Sequence, residues 1–378
     1  MKFQTKLIHN AATMDESTGA LSTPIVRAST FHQKDLDNIA EFDYARSGNP
    51  TRKVLEETIA LLEGGSHGYA FASGMAATSA VLSIFSAGDH LIVCQDVYGG
   101  TFRAVNTIFN RFGMEFTLVD ATDTDQIRKA IRPNTKGLFL ETPSNPLMKI
   151  TDLRAAAALA KEHGLISIVD NTFLSPYLQR PLGLGIDIVV HSATKFLGGH
   201  SDVLAGLAVT ADDKLARRIY RIQNGMGAVL PPEECYQLMR GMKTLAVRLD
   251  RQQQTAQALA QWLSINPAVR AVHYPGLAGH PGRKVHFSQA DGPGAVLSFE
   301  TSGEASARRF LKRTRLAAVA VSLGGVETIA SYPVRMSHAS VPPEERERLG
   351  ITASLIRISA GLEDADDLIE DFCQALSD

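Results

Sequence analysis

The chain is poor in the residues that staple small or secreted folds. Among 378 residues there are three cysteines, Cys94, Cys235 and Cys373. They are odd in number and far apart, which excludes a disulfide framework and a zinc pattern. They read as buried or inert thiols, and a reducing cytoplasm is the expected compartment. Long apolar runs are missing too. No stretch reaches the roughly 18 residues of a membrane-spanning helix, so no membrane partner is expected. The opening "MKFQTKLIHNAATMDESTG" lacks the uninterrupted apolar core of a secretory signal. Charge of one sign is also absent: 38 basic side chains face 40 acidic ones, a net charge of −2. That balance leaves no basic excess for nucleic acid and no charged tail. No fixed-period repeat or low-complexity segment occurs. Nor is there a G-x-S-x-G elbow, an H-E-x-x-H, a Walker loop or a G-x-G-x-x-G after a strand. The eleven histidines lack ligand spacing. His191, His200 and His338 read as structural, and no metal is expected.

What remains is a long, ordinary globular sequence, enough for two substantial domains. Residues 1–50 have weak periodicity, and "TPIVRASTFHQ" reads as an extended arm. After that, helical and strand patterns alternate. "TRKVLEETIALLEGG" has helical spacing and a glycine stop at Gly64. "GYAFASG", "HLIVCQD", "MEFTLVD", "TKGLFLETPSNP", "LISIVDNT" and "IDIVVHSATK" read as strands with helices between them. This argues for an α/β domain over 51–232 with a mostly parallel buried sheet. From about Glu233 the rhythm shifts. A long amphipathic helix, interrupted near Gly241, precedes "VRAVHYPG", "GAVLSFE", "EASARRFLKRT" and "LIRISAGLE". These predict a smaller α+β domain over 233–378.

Several residues could carry chemistry. Asp170 of "VDNT" and Lys195 of "SATK" end two candidate strands, joined by a helix-free crossover. A buried acid is costly without a cation or donor. Pyridoxal phosphate (PLP) needs such a pair, a lysine to bond its carbonyl and a carboxylate for its ring nitrogen. Strand-end acids and lysines also occur as plain structure. "FASGMAA" puts Ser73, Gly74 and Met75 between a strand and a helix, where free N–H groups favour a phosphate or simply make a turn. Ser192 and Thr194 could add hydroxyl donors. Tyr98 of "DVYGGT" could stack on a planar cofactor or face solvent. Arg357 in "LIRISAGLE" suits a substrate carboxylate or an internal ion pair.

Together these stretches resemble the Cys/Met-metabolism family of PLP-dependent enzymes. The resemblance spans nearly the whole chain through "YARSGNPT", "FASGMAA", "DVYGGT", "ETPSNP", "VDNTFLSPYLQRPL", "HSATKFLGGHSD", "LMRGMKTL", "YPGL", "SLGGVET", "MSHASVP" and "LIRISAGLED". It implies a fold of the aspartate-aminotransferase type (PLP fold type I), with Lys195 as the Schiff-base lysine and Asp170 as the ring-nitrogen partner. Tyr98 would stack on the ring and help proton transfer. Gly74, Met75, Ser192 and Thr194 would hold the phosphate. Tyr44 and Arg46 resemble residues that reach the phosphate of a neighbouring subunit, which implies active dimers paired into a homotetramer. Asn145, Ser322 and Arg357 resemble the clamp for the carboxylate of an amino-acid substrate. Members acting at Cγ often carry a glutamate before the serine of "SLGG", where this chain has Val321. Methionine γ-lyases typically have cysteine where Gly100 stands, and enterobacterial β-lyases have tryptophan at Leu323. The pattern is most similar to cystathionine β-lyases of Gram-positive bacteria. That implies carbon–sulfur β-elimination from L-cystathionine in methionine biosynthesis. The alternatives are a γ-lyase, a cystathionine or O-acetylhomoserine synthase-type transferase, and a silent PLP-fold binding protein.

Overall fold

The computed structural model describes residues 1–377. Seven strands make the larger sheet: β1 (His67–Phe71), β2 (His90–Cys94), β3 (Glu115–Val119), β4 (Thr135–Glu141), β5 (Ile166–Asp170), β6 (Ile188–Ser192) and β7 (Gly206–Thr210). Five make the smaller: β8 (Val269–His273), β9 (Val296–Thr301), β10 (Ala318–Val319), β11 (Ile329–Ser331) and β12 (Leu355–Ser359). The apolar runs of β2 and β6 are buried, as a sheet covered on both faces requires.

The larger sheet has the order β1-β7-β6-β5-β4-β2-β3. From β6 to β3 the strands are parallel, while β7 runs antiparallel to both β6 and β1. β7 lies in "GLAVT", which the alternating pattern had not marked, because it pairs back without a helix between it and β6. All strands except β7 therefore end at one edge, where ligands of open α/β sheets bind.

Helices cover both faces of this sheet. Gly74–Leu82, Leu153–Glu162 and Asp213–Met226 bury Val81, Leu153 and Ile219 on one side. Pro50–Glu63, Pro232–Met242 and Leu245–Ile265 bury Leu55, Leu238 and Leu249 on the other. The first of these starts with Pro50 after the cap Asn49, and Gly64 stops it at a φ of 76°.

Two expectations need correction. The break in the long helix falls at Lys243–Thr244, one turn's edge beyond Gly241. Gly241 sits inside the first helix because a Cβ there would stand 2.3 Å from the Gly198 carbonyl oxygen. The glycine permits a close approach; it does not end the helix. The crossover between Asp170 and Lys195 is not helix-free either: it holds the short turns Ser175–Leu178 and Pro181–Leu184. Of the cysteines, Cys94 and Cys235 are buried, but Cys373 is exposed on the last helix.

The smaller sheet is mixed, with β10 and β11 parallel and the other pairs antiparallel. Period-two alternation divides its faces. Ile356 and Ile358 join Leu297 and Phe299 in a core under three helices, Leu245–Ile265, Glu304–Arg313 and Ala365–Leu376. Arg357 lies between its register partners Ser298 and Ser331 on the other face. The core is centred on Phe310, whose ring meets Phe299 and Phe372 edge-on at 5.3 and 5.0 Å. Phe310→Ala should therefore lower stability by about 3–5 kcal/mol in chemical denaturation. A loss below about 1 kcal/mol, the scale of a surface change, would contradict this packing.

Candidate active site

All the candidate residues except Tyr44 and Arg46 line one cavity of about 660 Å³ between the two sheets. The strand ends explain the gathering. β5 ends at Asp170 and β6 at Ser192, and a turn closed by the Lys195 N–H on the Ser192 carbonyl (3.2 Å) presents Lys195. β1 leads into Ser73, whose hydroxyl caps the helix Gly74–Leu82 by accepting the Ala76 N–H at 3.1 Å. The helix start packs hard against β6: a Cβ on Gly74 would lie 2.7 Å from the Ser192 Cβ.

Lys195 is held from the smaller sheet. Its Nζ donates to Ser322 Oγ at 2.6 Å. Ser322 has a φ of 93°, a strained conformation for a non-glycine residue. Arg357 braces it: Nη2 donates to the Ser322 carbonyl at 2.7 Å and to Ser331 Oγ at 3.1 Å, and Nη1 donates to Asn145 Oδ1 at 3.0 Å. The buried Arg357 Nε–H has no partner among the described residues. Burial, and then the Arg357 charge, push the Lys195 ammonium down to about 8. Burial lowers Arg357 to about 10, so it remains a cation at neutral pH.

Asp170 has one occupied and one open oxygen. Oδ1 accepts both the N–H (3.0 Å) and the hydroxyl of Thr172, whose oxygen in turn accepts the Ser192 N–H at 2.8 Å. No donor meets Oδ2 among the described residues. Burial raises the Asp170 carboxyl above its usual range, and the Thr172 bonds and nearby His191 oppose that rise. His191 itself is a core residue paired with Glu63 at 2.6 Å. His200 bonds the Gly198 carbonyl and His338 the Ser337 hydroxyl.

Other candidates have their own constraints. Thr194 exchanges hydrogen bonds with the Ala205 backbone, accepting at 3.0 Å and donating at 3.2 Å. Tyr98 is 41% exposed, and its N–H is held by Glu141. Tyr44 and Arg46 stand outside the cavity of their own chain. Arg46 donates to Asn224 and stacks 5.6 Å from the Tyr44 ring centroid, and Tyr44 is exposed. Glu141, Thr172 and Ser331 were not picked out by motif reading: strand register places Glu141 and Ser331, and the turn after β5 places Thr172. Val321 is 66% exposed at the cavity rim.

This donor set fits pyridoxal phosphate. It offers a neutralisable amine, an acid with one unpaired oxygen, a helix start whose glycine admits close approach, and a guanidinium with a free N–H. The fold and cavity thus define an α/β protein of the PLP-binding class. The chain belongs to the family described as Cys/Met metabolism PLP-dependent enzyme, whose model matches residues 4–377. Its cofactor is pyridoxal phosphate. It is 54% identical to the cystathionine beta-lyase MetC of Bacillus subtilis (strain 168), over 99% of this chain and 96% of that one. It is 50% identical to the cystathionine gamma-lyase of the same organism, over 100% and 99%. Among solved structures it matches the cystathionine gamma-lyase of Lactobacillus plantarum complexed with L-serine, with a TM-score of 0.97 and 46% identity over 99% and 98%. The expected α/β fold is therefore the observed one.

Only a neutral amine attacks the cofactor's carbonyl, and Lys195 is charged below its pKa and neutral above it. Uptake of pyridoxal phosphate by the apo protein should accelerate with rising pH through a midpoint near 8. Stopped-flow absorbance measures it, and a midpoint near the ordinary lysine value would contradict the depressed amine.

Proposed function

We propose that the protein is a carbon–sulfur lyase that cleaves L-cystathionine by β-elimination to homocysteine, pyruvate and ammonia, in methionine biosynthesis. The observation that carries this reading is the Lys195–Ser322 contact beside Val321 at the cavity rim. One amine with a lowered pKa faces the cavity, and the residue preceding Ser322 is Val321, not an acid. β-Elimination needs one base at Cα, whereas Cγ chemistry needs a second proton movement at Cβ. The cystathionine β-lyase relative supports the same reading.

When bound, pyridoxal phosphate supplies an electron sink for negative charge at the substrate Cα. The chain's residues do the rest. Asp170, through its open Oδ2, would keep the ring nitrogen protonated. The N–H groups of Gly74 and Met75, with Ser192 and Thr194, would hold the phosphate at the helix start. Tyr98 would cover the ring. Arg357 takes the substrate carboxylate on its free Nε–H, with Asn145 and Ser322 fixing the guanidinium. The free Lys195 amine removes the Cα proton, and the thiolate leaves from Cβ. Tyr98 or Lys195 returns a proton to the sulfur, and water releases the amino group as ammonia.

We further propose the boundaries 1–50 for an arm, 51–232 for the cofactor domain and 233–378 for the smaller domain. The sheets support this division, lying within His67–Thr210 and Val269–Ser359. The arm places Tyr44 and Arg46 at the phosphate of a partner subunit in a cytoplasmic homotetramer. Their exposure, away from their own cavity, supports that reading. No helix among the described residues is long and apolar enough to cross a membrane. A second reading, γ-elimination, is favoured by the γ-lyase relatives.

Product analysis with L-cystathionine separates the two readings. Pyruvate and homocysteine are expected, while 2-oxobutyrate and cysteine would overturn β-elimination. Lys195→Ala should lower kcat by about 10³-fold or more with the circular dichroism spectrum retained. Substantial residual turnover would contradict its role as base.

A further inference from the structure

A second carboxyl shares the cavity with Asp170. Glu141 closes β4, and strand register sets it directly beside Asp170 on β5. Register partners on parallel strands project to the same face, and both side chains line the cavity. Glu141 is 5% exposed. Its Oε2 accepts the backbone N–H of Tyr98 at 2.8 Å. No donor meets Oε1 among the described residues.

The charges around Glu141 are unequal. Asp170 on β5, Asp96 and the Cys94 thiol from β2 and its following loop, Tyr98 and Arg357 on β12 all act on it or feel it. Asp96 is neutralised by Lys149 at 3.0 Å. Arg357 is directed at Asn145, Ser322 and Ser331. Burial first, then Asp170, push the Glu141 carboxyl well above its usual range. Two neighbouring buried carboxyls favour a single shared charge. Asp170 has two Thr172 donors stabilising its ionised form, and Glu141 has one donor from Tyr98.

We propose that Glu141 is a positioning residue: it keeps a proton, seats Tyr98 through Oε2, and leaves the negative charge at this end of the cavity on Asp170. The inference rests on the roles proposed above for Asp170 and Tyr98. A proton-bearing carboxyl keeps the Tyr98 loop anchored without adding a second anion beside the ring-nitrogen acid. Glutamine is then a fair substitute, because it is neutral and retains an acceptor for the Tyr98 N–H. Alanine is not, since the N–H loses its partner and Tyr98 its seat.

The test compares Glu141→Gln and Glu141→Ala as holoenzymes. The visible absorbance of the bound cofactor is titrated with pH without substrate. kcat/KM is measured with whichever sulfur amino acid the wild type cleaves. The absorbance readout is independent of whether β- or γ-elimination is the reaction. Glu141→Ala should lose about 10-fold or more in kcat/KM, chiefly through KM, and Glu141→Gln should recover to within about threefold of wild type. The cofactor's pH midpoint in Glu141→Gln should stay within about half a unit of wild type. A larger shift would mean that an ionised Glu141 had been lost, and would overturn the proposal. So would glutamine as damaging as alanine, or alanine without effect. Should the alanine variant not fold, the midpoint of the glutamine variant decides alone.

Discussion

The guanidinium of Arg357 is the tie on which the site depends. It rises from the smaller sheet, grips Asn145 beyond the end of β4, and holds the Ser322 carbonyl in a strained backbone. The Ser322 hydroxyl then fixes the Lys195 amine at 2.6 Å. One buried cation therefore couples the two sheets, aims the lysine and, after burial, adds to the lowering of its pKa. Its two terminal nitrogens are occupied, while the Nε–H has no partner among the described residues. A buried unpaired donor is costly. A substrate carboxylate would relieve it, which supports the proposed role of Arg357 in recognising what enters the cavity.

The larger sheet supplies the other half by register. Glu141, Asp170 and Ser192 close three successive parallel strands, so their side chains reach the same edge. β7, running the other way, brings Gly206 opposite Ser192 and closes the floor beneath the helix start. Helices on both faces bury the strands themselves, which keeps this edge rigid. The acid and the helix start are thus placed by backbone pairing, while the Lys195 amine is aimed by its side-chain bond to Ser322.

Much of this was readable along the chain. The strands before β7 showed as apolar runs between amphipathic helices, and Arg357 stood out as a cation inside an apolar strand. Lys195, Asp170 and Gly74 were marked by where apolar runs ended. What escaped reading was whatever depends on pairing. β7 had no helix before it to complete the alternation. Nothing in the motif "ETPSNP" sets Glu141 apart; its register with Asp170 is what places both in one cavity. Gly241 carried the mark of a helix break, although its reason is the approach of the turn after Lys195. Tyr44 and Arg46 lie outside the cavity of their own chain, so spacing along one chain gives no measure of the role proposed for them at a partner subunit.

Lys195 is the amine proposed to bond the cofactor. Borohydride reduction of the holoenzyme fixes the cofactor to that amine, and peptide mass spectrometry locates it. The cofactor mass should appear on the peptide carrying Lys195 alone. Its appearance on any other lysine, with Lys195 unlabelled, would contradict the account.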